Sequence, residues 1–366
     1  MKLIYLSSST LFSKSANSLH VMKMANSFSK IVKKVELVVR DVNEQRNPYE
    51  FYQVEQNFII KNRKVNKFKA FSSILYTIKN INDFKQDLKN KETVFYGRDI
   101  MTLFLIAFFS NNVYIELHSI PSSVIKKLIL KIMFKNKLVN RIFVISDALK
   151  KDVCNVFNAE EKDVVVVHDG ADIHDFSNNE DNKKIGYVGS INKGRGIELI
   201  LKLAHIHQEL EFNIIGGDFS DLKEKLEIKD VPSNVKLLGY LSQKEIEVFI
   251  KDFYILLAPY QEKVGVDKIN SDTSRWMSPI KLFEYMSFGK AIIVSDINVL
   301  REVIINNYNG VFAKPNDVND WSRKIELLLE NKDFHHQLKS NSFDTLKDYY
   351  TWDKRAYNIS EKIKIR

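Results

Sequence analysis

Lys281 and Glu284 stand three residues apart in the stretch SPIKLFEYMSFGKAIIVSD, residues 278–296, within a run that is otherwise almost wholly apolar from Ile280 to Phe288. On a helix this spacing puts an acid and a base on one face. A helix apolar all round belongs inside a protein, where an unpaired carboxylate is costly. The two side chains therefore pair with each other or face a polar ligand. Ser278 is the expected N-cap, Pro279 the first helical residue and Gly289 the left-handed residue past the end. A short buried strand follows at 291–294. The N-terminus of such a helix offers bare N–H groups and the positive end of its dipole, a natural place for an anion.

Other reactive types gather where strand-like runs end. YVGSINKGRGIELI follows one such run; Gly189, Gly194 and Gly196 permit tight turns. Lys193 and Arg195 stand before a helix expected near Gly196, and cations beside a helix N-terminus suit a diphosphate. IIGGD gives a second glycine turn, with Gly216 in it. In the first half, Asn17 and His20 open a helix after KLIYLS, Arg98 and Asp99 follow VFYG, and His118 follows VYIEL. Asn17 also reads as a plain N-cap. His118 reads either as a structural histidine or as a hydrogen-bonding partner for a substrate hydroxyl.

Several chemistries are disfavoured. No GxGxxG follows the first strand, which argues against a dehydrogenase, and there is no Walker lysine loop. No two aspartates are two apart, and no histidines show zinc spacing, so no metal and no cofactor is expected. The one cysteine, Cys154, excludes a disulfide within the chain and is expected to be buried on an amphipathic helix. The longest apolar stretch, residues 100–109, is too short to span a membrane, and the opening residues do not read as a signal peptide. The expectation is a cytoplasmic protein, with peripheral attachment to the inner membrane as a further option.

The elements that position these residues alternate. Eleven strand-like runs, six before residue 168 and five after 183, are separated by helical patterns. That implies βαβ units and parallel sheets. An α/β chain of two doubly wound, Rossmann-like domains facing each other across a cleft is expected: residues 1–168, a polar linker at 169–183, and residues 184–350, with a helix at about 351–366 packing back on the first domain. Ligands of such sheets sit at the carboxyl ends of the strands.

The charge is uneven. Residues 1–168 carry 27 Lys and Arg against 15 Asp and Glu, while the remainder carries 28 against 31. The net +9 therefore lives in the first half. Within it, residues 122–140 form a basic amphipathic segment: Ile125, Leu128, Ile129 and Ile132 on one face, Lys127, Lys131 and Lys135 on another. It reads equally as a membrane-surface helix or as a core helix with a solvated lysine face. Nucleic acid is not expected as a partner, because no stacking or groove-reading motif accompanies the charge.

Taken together, SANSLHVMKMANSF, VYIELHS, RIFVISDALKKDV, VVVHDGAD, YVGSINKGRGIELIL, NIIGGD, LGYLSQKE, LLAPYQ and SPIKLFEYMSFGKAIIVSD resemble the family-4 glycosyltransferases, the glycosyl transferases group 1 family of GT-B fold. The resemblance covers nearly the whole chain. It implies retaining transfer of a sugar from a nucleotide-sugar, UDP- or GDP-linked, without a metal. The acceptor would be a glycan or a polyprenyl-diphosphate-linked glycan, as in the assembly of O-antigen, capsule or lipopolysaccharide. By match of motif, Glu284 would hold the ribose, and Ser278, Pro279, Lys281 and Arg195 the diphosphate. Gly189, Lys193 and Gly216 would line the donor, His118 would sit at the reaction centre, and Asn17, His20 and Arg98 would face the acceptor. Two positions depart from the pattern: Trp276 stands where the family often has its first glutamate, with Asp272 as a stand-in, and Ser190 stands where it often has arginine. Residues 262–275 read as a loop over the donor. A non-catalytic glycosyltransferase-like module and a nucleotide-sugar epimerase on the same fold are the alternatives.

Overall fold

The computed structural model describes residues 1–13, 16–42, 46–64, 72–176, 183–266, 268–272 and 274–363. The chain divides into two compact units, residues 1–168 with 352–366, and residues 169–351.

The first unit is built on seven parallel strands: β1 Lys2–Leu6, β2 Lys34–Val39, β3 Ile59–Asn62, β4 Thr93–Gly97, β5 Val113–Leu117, β6 Arg141–Val144 and β7 Val164–Val166. Their spatial order is β3-β2-β1-β4-β5-β6-β7. The central strands are apolar along their whole length because helices cover both faces, and Leu3 to Leu6 are fully buried. From β1 the chain steps out to β3 and then returns across to β4. Right-handed crossovers therefore place α1, Ala16–Ser29, on one face and α2 Ser72–Asp83, α3 Ile100–Ile106, α4 Val124–Lys135 and α5 Asp147–Phe157 on the other. The helix Trp352–Lys362 packs beside α1.

The second unit repeats the plan with six parallel strands: β8 Lys184–Val188, β9 Glu211–Ile215, β10 Val235–Leu237, β11 Ile255–Ala258, β12 Ala291–Ser295 and β13 Val311–Ala313, in the order β10-β9-β8-β11-β12-β13. Its relevant helices are α6 Ile197–Ile206, α7 Gln243–Asp252 and α8 Ile280–Ser287. In both sheets the order reverses beside the first strand, so the crevice for a ligand opens past β1 and β4 in one unit and past β8 and β11 in the other.

Two strands of these sheets were not anticipated, nor were two short pairs outside them, Thr10–Leu11 with Asp41–Val42 and, within the stretch expected as a loop, Gly265–Val266 with Lys268–Asp272. β3 is an edge strand whose IIKN sequence ends polar, with Ile59 exposed, and β13 is only three residues long. Helix α8 starts one residue later than the capping signals imply. Pro279 holds the cap position, and the hydroxyl of Ser278 instead accepts from the backbone N–H of Asp169 at 2.9 Å. Gly289 does take the left-handed conformation, with φ of 57°. Asn17 lies inside the first turn of α1 rather than capping it. Cys154 is half-buried on α5 rather than enclosed.

Candidate functional site

In the second unit the site grows from the end of β8. Gly189 follows that strand with φ of 154°, and a methyl group there would lie 2.5 Å from Lys281 Nζ. Only glycine lets the lysine come so close. Gly216, at the end of β9, packs its backbone against Gly189; a Cβ on it would lie 2.3 Å from the Gly189 carbonyl. Helix α8 is fixed to this edge by Tyr285, whose hydroxyl accepts from Val188 N at 2.8 Å and donates to Val188 O at 3.3 Å. Lys281, one turn earlier, is thereby aimed under the glycine turn.

Its ammonium has aromatic rings for neighbours. Nζ lies 3.9 Å from the Tyr187 ring centroid and 5.1 Å from that of Tyr260. It is enclosed and has no hydrogen-bond partner among the described residues. Burial, and after it the nearby guanidinium of Arg195, pushes its pKa well below the usual lysine range, with Glu284 opposing. The Arg195 guanidinium stands 5.4 Å from the Tyr260 centroid, and its Nε is likewise buried without a partner. The Lys281–Glu284 pair is not made: Lys281 Nζ has no carboxylate within salt-bridge distance among the described residues. Glu284 is half-buried and accepts from Gln243 Nε2 at 3.5 Å. Lys193 is exposed. The carbonyl of Ser190 accepts from the Tyr187 hydroxyl at 3.1 Å. The side chain of Asp272, and residues 267 and 273 of the 262–275 loop, lie outside what the structure describes.

In the first unit the site is a charged cluster centred on Glu116, near the end of β5. Glu116 is fully buried, and its Oε1 accepts from Arg98 Nη2 at 2.8 Å and Arg98 Nε at 3.1 Å. The same oxygen takes a short hydrogen bond from His118 Nε2. Oε2 accepts from Arg355 Nη1 at 3.3 Å and from the Tyr96 hydroxyl. Burial alone would raise the Glu116 carboxyl, but Arg355 and the donors around it more than offset this and hold it at about 2. Arg98 can stand here because Gly97, with φ of 146°, passes so close to β1 that a Cβ would lie 2.1 Å from Leu6 O.

Arg98 also donates to Asn17 Oδ1, and its Nη2 lies 2.7 Å from His20 Nδ1. A guanidinium only donates, so His20 Nδ1 is the acceptor and the ring carries its proton on Nε2. Nε2 points at Glu116 Oε1, 3.6 Å away. Burial, then Arg98, drives the His20 pKa well below 6.5, so the ring is neutral. His20 stands edge-on to both His118 and Trp352, with centroids 5.1 and 5.2 Å apart. Asn17 Nδ2 donates to Ser9 Oγ at 2.6 Å. The four residues named for this unit, Asn17, His20, Arg98 and His118, are therefore one connected group.

Sequence reasoning missed the centre of that group. Glu116 left a signal, a lone acid in a strand otherwise apolar. Arg355 and Trp352 left none, since they reach the cluster from the far end of the chain. In the second unit Tyr187, Tyr260 and Gln243 were missed for the same reason, because ring faces and amides become site residues only through packing.

Residues 170–345 match the family described as Glycosyl transferases group 1. Lys281, Arg195 and Glu284 all lie within the matched residues. The whole chain takes the GT-B fold: the structure of Anabaena Alr3699/HepE in complex with UDP superposes with a TM-score of 0.72 over 99% of both chains at 12% identity. An uncharacterized glycosyltransferase of Methanocaldococcus jannaschii, MJ1607, is 23% identical over 247 residues, covering 62% of this chain and 60% of that protein. The Campylobacter jejuni enzyme N,N'-diacetylbacillosaminyl-diphospho-undecaprenol alpha-1,3-N-acetylgalactosaminyltransferase is 41% identical over 64 residues, 18% of this chain and 17% of that one. The chain spans less than two thirds of the length of the curated relatives it matches. No helix among the described residues is long and apolar enough to cross a membrane.

Proposed function

We propose that this protein transfers a sugar from a nucleotide-sugar to a glycan or lipid-linked glycan, as a retaining, metal-independent, family-4 type glycosyltransferase. The observation that carries the reading is the enclosed Lys281 ammonium, with Arg195 beside it, under a glycine turn and without a salt-bridge partner among the described residues. An enclosed amine beside a half-buried guanidinium, with no carboxylate within salt-bridge distance of either among the described residues, is costly alone and suits a leaving diphosphate. As the bond to the anomeric carbon breaks, negative charge grows on that diphosphate. Lys281, Arg195 and the N-terminus of α8, near Ser278 and Pro279, stabilise it. Glu284 accepts from the ribose hydroxyls. Gly189 and Gly216 let backbone approach the donor, and Lys193 adds charge at the rim.

The first unit supplies the acceptor side. His118, held through Nε2–H by Glu116, faces the sugar, while Asn17, His20 and Arg98 bind acceptor groups. A nucleoside diphosphate of UDP type is favoured by the HepE complex, and a polyprenyl-diphosphate acceptor by the undecaprenol-linked substrate in the Campylobacter enzyme's name. Surface polysaccharide assembly is the corresponding role.

Thermal-shift titration with UDP, GDP, ADP and CMP tests this, wild type beside Glu284→Ala. A selective rise with one nucleotide, lost in the variant, supports the donor site. No rise with any nucleotide overturns the reading and favours the non-catalytic module, which Trp276 in place of the family's glutamate would suit.

A further inference from the structure

Helix α4 has two apolar faces, and the core uses only one. Ile129, Leu130 and Met133 turn inward and are buried. Val124, Ile125 and Leu128 are 79%, 67% and 58% exposed, and Ile132 is 37% exposed. At about 100° per residue, Val124, Leu128 and Ile132 stack along one line with Ile125 beside them. Lys127, Lys131 and Lys135 run as a second row at the same spacing, on the adjoining flank. The choice the sequence left open is thereby narrowed, because the core is complete without these four apolar side chains. Phe108 and Phe109, in the turn that closes the neighbouring α3, are also exposed.

We propose that the outer face of α4, with Phe108 and Phe109, docks on an anionic lipid surface. The charge pattern selects this occupant. Residues 117–146 hold six basic side chains and no acidic one. A second copy packed by two-fold symmetry would bring lysine rows together. An anionic bilayer instead accepts the apolar line at the depth of its headgroups and pairs the lysines with its surface charge. The helix begins six residues after His118, so its first turn lies at the sheet edge that carries that residue. A lipid-linked acceptor held at this surface would be delivered to that edge; this last step, unlike the docking, rests on the transfer reading.

The test is co-sedimentation of the full chain with phosphatidylcholine vesicles, with and without phosphatidylglycerol. Binding is expected only with phosphatidylglycerol and is expected to weaken with salt. The double substitution Ile125→Asp/Leu128→Asp should lower partitioning at least about tenfold, and Lys127→Ser and Lys131→Ser about fivefold each. All three should keep the wild-type unfolding midpoint, because the altered side chains are outside the core. No binding, equal binding to neutral vesicles, or binding unchanged in the aspartate variant would each overturn the proposal. So would a dimer in gel filtration that Leu128→Asp disperses while vesicles capture nothing. None of these outcomes depends on a nucleotide, so the docking and the transfer reading fail separately.

Discussion

The two polar centres of this molecule are opposites. Around Glu116 one buried carboxylate is met by Arg98, Arg355, His118 and Tyr96, and the charge is matched within the protein. Around Lys281 an enclosed amine and the half-buried Arg195 guanidinium lie against tyrosine rings, with no carboxylate within salt-bridge distance among the described residues. A matched cluster can be held rigid before any ligand arrives. An unmatched one stores unfavourable charge that a ligand relieves. The first is suited to fixing the direction of a side chain, the second to gripping an anion.

The sharpest way to break the comparison is to delete each charge. Glu116→Gln should destabilise the protein by about 3–5 kcal/mol, read by urea unfolding, because Arg98 and Arg355 are left without their counter-ion. Lys281→Met should do the reverse: it should raise the unfolding midpoint of the ligand-free protein while lowering affinity for the nucleoside diphosphate at least about tenfold. Destabilisation by Lys281→Met would mean that its charge is already matched, and the contrast would be lost.

Protonation sharpens it further. Lys281 is held toward its neutral form, and a bound diphosphate favours the charged one. Binding should therefore take up a proton, measurable by calorimetry in buffers of different ionisation enthalpy, and should tighten as pH falls from the alkaline side. Glu116 behaves differently. Its folded pKa of about 2 lies below the usual 4.5, so its contribution to stability is complete above 4.5 and is lost as pH falls toward 2. Glu116→Gln should flatten that acid limb.

A smaller effect is expected at Lys290, away from both centres. Its ammonium donates to the carbonyls of Lys251 and Phe253, and burial, then Lys339, lowers its pKa to about 7. Between about 7 and the usual 10.5 the unfolded chain binds more protons than the native one, so stability should rise with pH across that window. Lys290→Met should remove this slope. Cys154→Ala on α5 should change stability by no more than about 0.5 kcal/mol.

Much of this was legible from patterning. Continuous apolar strands broken by amphipathic helices are the mark of parallel sheets covered on both faces, and the eleven strands read from the sequence all formed. The edge strands β3 and β13 escaped because an edge needs little apolar sequence. The helix at 280–287 was visible, but its cap was misplaced, since Ser278 is engaged by Asp169, more than a hundred positions earlier in the chain. Lys281 and Arg98 could be singled out because charged groups at strand or helix ends in apolar surroundings are costly. Arg355 could not, because its partner is chosen by tertiary packing alone.

The helix Trp352–Lys362 belongs to the first unit, where Arg355, Ala356 and Ile359 are buried. On the ribosome, residues 1–168 therefore emerge and wait while the entire second unit is synthesised. During that interval Glu116 has one guanidinium fewer, and the flank of α1 that this helix packs against is uncovered. A premature stop before residue 352 would therefore damage the half of the molecule that had been translated first.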